Sequence, residues 1–207
     1  LILGAMMVLA GCSSAPEKPD PTPLERIAEK VELAAVESAS LGGGDQTGLS
    51  PAIDGEVIAA ASAGGDVYLF NMNLKEMWSV DIEQTIVGGV AVNQDAVFVV
   101  TSDANLVALS RANGELLFEV ALPSNSMVPP IATDTQVFIK TQIGQLLALK
   151  ADTGETIWFE EARETGVGIR GGAPMTLESD VLYVLWESGR IVAYQAESGR
   201  CLLYTSP

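Results

Sequence analysis

The stretch Ala148-Leu149-Lys150-Ala151-Asp152-Thr153-Gly154-Glu155-Thr156-Ile157-Trp158 returns along the chain at a nearly constant interval, and this limits the fold more than any other feature. Forty residues before it stands Ala108-Leu109-Ser110-Arg111-Ala112-Asn113-Gly114-Glu115-Leu116-Leu117-Phe118, and forty before that Leu74-Lys75-Glu76-Met77-Trp78. Downstream, Ala193-Tyr194-Gln195-Ala196-Glu197-Ser198-Gly199-Arg200 restarts it. Each copy reads as strand, tight turn, strand. The Asp-Thr-Gly turn suits this, because the glycine accepts positive φ and the Asp side chain bonds backbone ahead of it. A period of about 40 residues, closed by a large aromatic, is the signature of a propeller or solenoid array.

Short runs precede each of these turns. The copies open at Ser50-Pro51-Ala52, Gly88-Gly89-Val90, Pro129-Pro130-Ile131 and Ala173-Pro174-Met175. β-branched or aromatic runs follow at Val57 to Ala61, Val97 to Thr101, Val137 to Thr141 and Val181 to Trp186. Four short antiparallel strands per unit make a propeller blade, and no unit carries the long 3.6-period segment that a helical solenoid needs. The expected fold is therefore all-β, a β-propeller with about four blades over residues 49–200. Trp78, Phe118 and Trp158 are expected to fill the wedge between successive sheets; an aromatic cage for a ligand is the alternative reading.

Composition removes whole classes of function. An apolar content of 48% is enough for a large core. The net charge of −16 argues against phosphate-directed binding of nucleic acid. With no histidine, the chain has no His-based triad, metal site or general base. The two cysteines, Cys12 and Cys201, lie at opposite ends, which suits neither a zinc knuckle nor a disulfide framework.

Residues 1–11 read as the end of a signal peptide: the apolar run Leu1 to Leu9 is followed by small residues and is too short to span a bilayer, which needs about 20. The chain does not begin with Met, so its N-terminus is read as incomplete. Leu9-Ala10-Gly11-Cys12 resembles the bacterial lipobox, which makes Cys12 the expected lipidation site; a core segment with a buried thiol is the alternative. Ser13 after the cysteine resembles lipoproteins sorted to the outer membrane. Residues 12–23, with four prolines from Ala15 to Pro23, form a stiff tether. Residues 24–48 are ambiguous: Leu24, Ile27, Ala28, Val31 and Ala35 have helical spacing, yet Val31 to Ser38 also suits a strand closing a ring of blades. Residues 201–207 break the repeat, since Leu203 stands where the aromatic belongs, and are read as a foreign tail outside the fold.

The repeat motif, the Cys12 lipobox, Ile86-Val87-Gly88-Gly89-Val90 and the insert Val167-Gly168-Ile169-Arg170-Gly171-Gly172-Ala173-Pro174 together resemble one family. It is the PQQ-like eight-bladed propellers and, within them, the lipoproteins of the outer-membrane β-barrel assembly machinery. The match covers about four of eight blades. The later blades, with their acidic contact loop, and the tryptophan that the family carries in its N-terminal strand have no counterpart here. The resemblance implies a non-enzymatic scaffold with no catalytic residues, cofactor or metal. It would be lipid-anchored on the periplasmic face of the outer membrane of a Gram-negative bacterium. Its implied partners are the periplasmic domains of BamA, other barrel assembly subunits and unfolded outer-membrane proteins. Two rivals share the repeat: a PQQ-dependent dehydrogenase, which needs a quinone, calcium and a catalytic carboxylate, and a generic periplasmic binding propeller. The turn carboxylates Asp54, Asp95, Asp134 and Asp152 are read as solvated turn residues.

One connection differs from the rest. The turn glycines Gly114 and Gly154 are forty residues apart, whereas Gly154 and Gly199 are forty-five apart. The additional residues fall in Ala162 to Arg170, and loops on a rigid scaffold are where binding residues concentrate. Val167 and Ile169 are two apart, so in an extended loop they point the same way with Arg170 beside them. The resemblance implies that Val167, Ile169 and Arg170 contact BamA. The alternative packs both aliphatics under the blade and pairs Arg170 with Glu160, Glu161 or Glu164.

Overall fold

In the computed structural model, residues 34–41, 49–162 and 172–205 are described. By packing, the chain divides into Leu1–Ala35 and Val36–Pro207, and among the described residues every strand lies in the second unit. The signal segment, Cys12, the tether, the helical alternative before residue 34 and the trio Val167, Ile169 and Arg170 all lie outside the described residues.

Four four-stranded sheets follow one another along the chain, each an antiparallel meander in sequence order. The first holds β1 (Ala52–Asp54), β2 (Val57–Ala61), β3 (Asp66–Asn71) and β4 (Glu76–Asp81). The second holds β5 (Ile86–Val92), β6 (Ala96–Thr101), β7 (Asn105–Ser110) and β8 (Leu116–Ala121). The third holds β9 (Ile131–Ala132), β10 (Gln136–Lys140), β11 (Gln145–Lys150) and β12 (Thr156–Glu161). The fourth holds β13 (Met175–Glu178), β14 (Val181–Leu185), β15 (Ile191–Gln195) and β16 (Cys201–Tyr204). These are the four blades expected from the repeat.

Register explains why the second and third strands are largely apolar. Successive residues of a strand point to opposite faces, and in the second and third blades both faces are covered. In β6, Val97 and Val99 pack with the first sheet, while Phe98 and Val100 pack with the third. Phe138, Leu146 and Ala148 of the third sheet meet Leu182, Val184 and Val192 of the fourth. Three apolar layers thus separate four sheets. The fourth strands alternate instead: Trp78 and Val80 turn inward, while Met77 is exposed.

The last residues require a correction. Cys201–Tyr204, set outside the fold on sequence grounds, form β16 with Tyr194 paired to Cys201 and Ala193 to Leu203. A fourth strand is held by its backbone ladder, so it forms although all four side chains are exposed. The closing-strand expectation also changes over the part that is described: residues 34–41 are exposed and carry no strand pairing.

Candidate functional site

The turns joining third to fourth strands do two jobs. In each of the last three blades the backbone closes over the same span: Gly114 N–H donates to Ser110 O, Gly154 to Lys150 O and Gly199 to Gln195 O. All three glycines have positive φ, between 71° and 76°. They also lie against the aromatic of the preceding blade. A Cβ on Gly114 would stand 3.0 Å from Trp78, one on Gly154 2.8 Å from Phe118, and one on Gly199 2.7 Å from Trp158. The indole N–H of Trp78 donates to Arg111 O, and that of Trp158 to Ala196 O, both at 2.9 Å. The aromatics are therefore packing devices between blades, as the repeat spacing implied.

Polar ties also join turns of neighbouring blades. Arg111 forms an ion pair with Asp54 of the first blade and donates to Asn93 O. Asn93 in turn donates from its side chain to Thr133 O at 2.8 Å, and Gln94 to Asp134 at 3.2 Å. Two of the four turn carboxylates are thus engaged, which corrects their reading as merely solvated. Asp54 escaped sequence reasoning because its partner is 57 residues away. Asp95 and Asp152 are exposed turn residues as expected.

Between the third and fourth blades, Asp134, Asp152, Asp180 and Glu197 line an open cleft of about 800 Å³. Its cation, Lys150, is held by Glu155 at 2.5 Å, and that hydrogen bond and charge raise the ammonium above its ordinary value. Among the described residues no group of three His, Cys, Asp or Glu side chains is placed to hold a metal.

The lengthened connection, with its additional residues in Ala162 to Arg170, carries the three expected partner-binding residues, and the residues on either side of 163–171 are described. On the upstream side Ala162 N–H donates to Gly144 O at 2.8 Å. On the downstream side Gly172 abuts Val128, and Ala173 O accepts from the Lys140 ammonium at 3.2 Å. Glu161, one candidate partner for Arg170, accepts from Gln145 at 2.8 Å. Lys140 was not singled out from the sequence. The available signal was a lysine ending the apolar run Val137-Phe138-Ile139.

Known proteins place this architecture. A curated relative from Burkholderia pseudomallei, "Outer membrane protein assembly factor BamB", is 27% identical over 94% of this chain and 52% of its own length. The chain thus spans about half the length of the curated relatives it matches. The crystal structure of BamB from Moraxella catarrhalis superposes with a TM-score of 0.68 at 25% identity, over 75% of this chain and 48% of that one. A quinohemoprotein alcohol dehydrogenase from Pseudomonas putida shares the fold, with a TM-score of 0.59 at 17% identity, over 75% of this chain and 33% of that one. The family profile described as "Outer membrane protein assembly factor BamB" matches residues 63–205. The chain belongs to the BamB family of outer membrane protein assembly factors.

Proposed function

We propose that this chain is part of a non-enzymatic, lipid-anchored scaffold that binds the periplasmic domains of BamA and assists insertion of outer-membrane proteins. Membership of the BamB family is the observation that carries this reading. Cys12 is the acylated residue that holds the protein at the outer membrane. Val167, Ile169 and Arg170 form the BamA contact on the one lengthened inter-blade connection, and the other barrel assembly subunits are reached through BamA.

Physical chemistry supports the division of labour. Stacked sheets locked by aromatic-on-glycine contacts make a rigid body, and a rigid body lets a short connection present aliphatics and an arginine with little ordering cost. Two aliphatics beside an arginine suit a binding hot spot. The fourth strands have a free ladder edge, which suits addition of an extended client segment. The test is recovery of BamA when the protein, expressed from its complete gene, is isolated from solubilised outer membranes. Recovery without BamA contradicts the reading.

A further inference from the structure

Lys140 is a buried charge that the repeat does not require. Its side chain is 2% exposed, at the end of β10. The ladder fixes its counterparts: Lys140 pairs with Leu146 as Ala61 pairs with Val67, Val100 with Leu106 and Leu185 with Ile191. At this rung the other blades carry Ala61, Val100 and Leu185, all apolar. A buried ion pair is seldom a net gain over well-packed apolar residues, because both charges lose water. The lysine therefore calls for another account than stability.

Its partners supply one. An ammonium has three protons, and here three acceptors surround it: Glu187 Oε1 at 2.8 Å, Leu185 O at 2.8 Å and Ala173 O at 3.2 Å. The Trp186 ring lies 5.5 Å away and closes the remaining side. Two of the acceptors belong to the end of β14 and the turn after it. The third, Ala173 O, belongs to the short segment leading from the lengthened connection into β13. A lysine thus replaces an apolar residue in the blade whose connection onward, from β12 to β13, is longer than those from β4 to β5 and from β8 to β9.

We propose that Lys140 is a positioning residue: with Glu187 it fixes Ala173, and so sets where the connection bearing Val167, Ile169 and Arg170 joins the rigid sheets. This rests on the reading of those three residues as the BamA contact. Charge-assisted hydrogen bonds give the fixed direction that an apolar contact at the same rung lacks.

The test uses the protein expressed from its complete gene, with Lys140→Met and Glu187→Gln combined so that no unpaired charge is left buried. The expected result is about tenfold weaker binding of the purified BamA periplasmic domains. Hydrogen exchange should quicken in the peptide covering 172–178, while exchange in β6 and β7 stays as in the parent. A purely structural lysine would instead lower protection across the third and fourth sheets together. The comparison variant is Val167→Ala, Ile169→Ala and Arg170→Ala combined. If that triple loses BamA while the Lys140 and Glu187 variant keeps parental affinity and exchange, the role of Lys140 is overturned. Parental binding by the triple overturns the contact site itself, whatever the double variant does.

Discussion

Gly199 lies beneath the indole of Trp158, so close that a Cβ on the glycine would stand 2.7 Å from Cδ2, and the same indole donates to Ala196 O at 2.9 Å. One aromatic thus reads both the shape and the backbone of the next blade's turn. Gly199→Ala meets two penalties, a positive φ of 71° and overlap with Trp158. It should lower stability by about 2–3 kcal/mol. Trp158→Phe keeps most of the packing and loses the hydrogen bond, for about 1 kcal/mol, whereas Trp158→Ala should cost about 3–5 kcal/mol. Denaturant unfolding of the three variants checks the order. An alanine at 199 as stable as the glycine contradicts the lock.

Tyr194 gives a pH dependence whose sign is fixed. Burial raises its value above the ordinary 10.0, against the opposing pull of its hydrogen bond with Trp186. Below pH 10 both folded and unfolded chains hold the proton, so the contribution is fully present. As pH rises past 10 the unfolded chain releases its proton first, and stability falls until the folded phenol also ionises. Unfolding midpoints measured at pH 9 and pH 11 should fall further in the parent than in Tyr194→Phe. Equal falls contradict the assignment.

The fourth sheet presents Tyr183, Leu185, Ile191 and Leu203 on one face, since Tyr183 pairs with Ala193, Ala193 with Leu203, and Leu185 with Ile191. The residues on the corresponding rungs of the second blade, Phe98 and Val100, are fully buried against the third sheet, whereas Tyr183 is 42% and Leu203 65% exposed. A contiguous apolar face of this kind favours association. The 207-residue chain by itself should therefore self-associate, and Tyr183→Lys with Leu203→Lys should reduce it. Light scattering that shows a stable monomer contradicts this.

Cys12 carries the anchoring claim. Acyl chains add about 0.8 kcal/mol per buried CH₂, so two or more hold a protein firmly on a bilayer. Cys12→Ser should move the protein from the membrane to the soluble periplasmic fraction. Sedimentation of the variant with outer membranes after a salt wash contradicts the anchor.

The blades were legible because turn chemistry and period are local signals: Asp152-Thr153-Gly154 and the aromatic Trp158 name both strand and turn. What escaped depends on distant partners. Asp54 gives no sign in sequence that Arg111 will reach it, and Lys140 resembles the end of a strand until Ala173, Leu185 and Glu187 surround it. The fourth blade's last strand escaped for another reason. Leu203 lacks the aromatic that made Trp78, Phe118 and Trp158 recognisable, yet the backbone ladder to β15 does not need one. The expected contact residues Val167, Ile169 and Arg170 stood out only through the length of their connection and the family resemblance.

The contact site bears most directly on the account's central claim. Binding of purified BamA periplasmic domains should be measured for the protein from its complete gene and for the combined Val167→Ala, Ile169→Ala and Arg170→Ala variant. The account predicts loss of binding by at least about a hundredfold, as truncating a cluster of hot-spot residues does, with a thermal midpoint within a few degrees of the parent's. Parental affinity in the variant contradicts the site, and loss of binding together with collapse of the fold favours aliphatics packed beneath the blade.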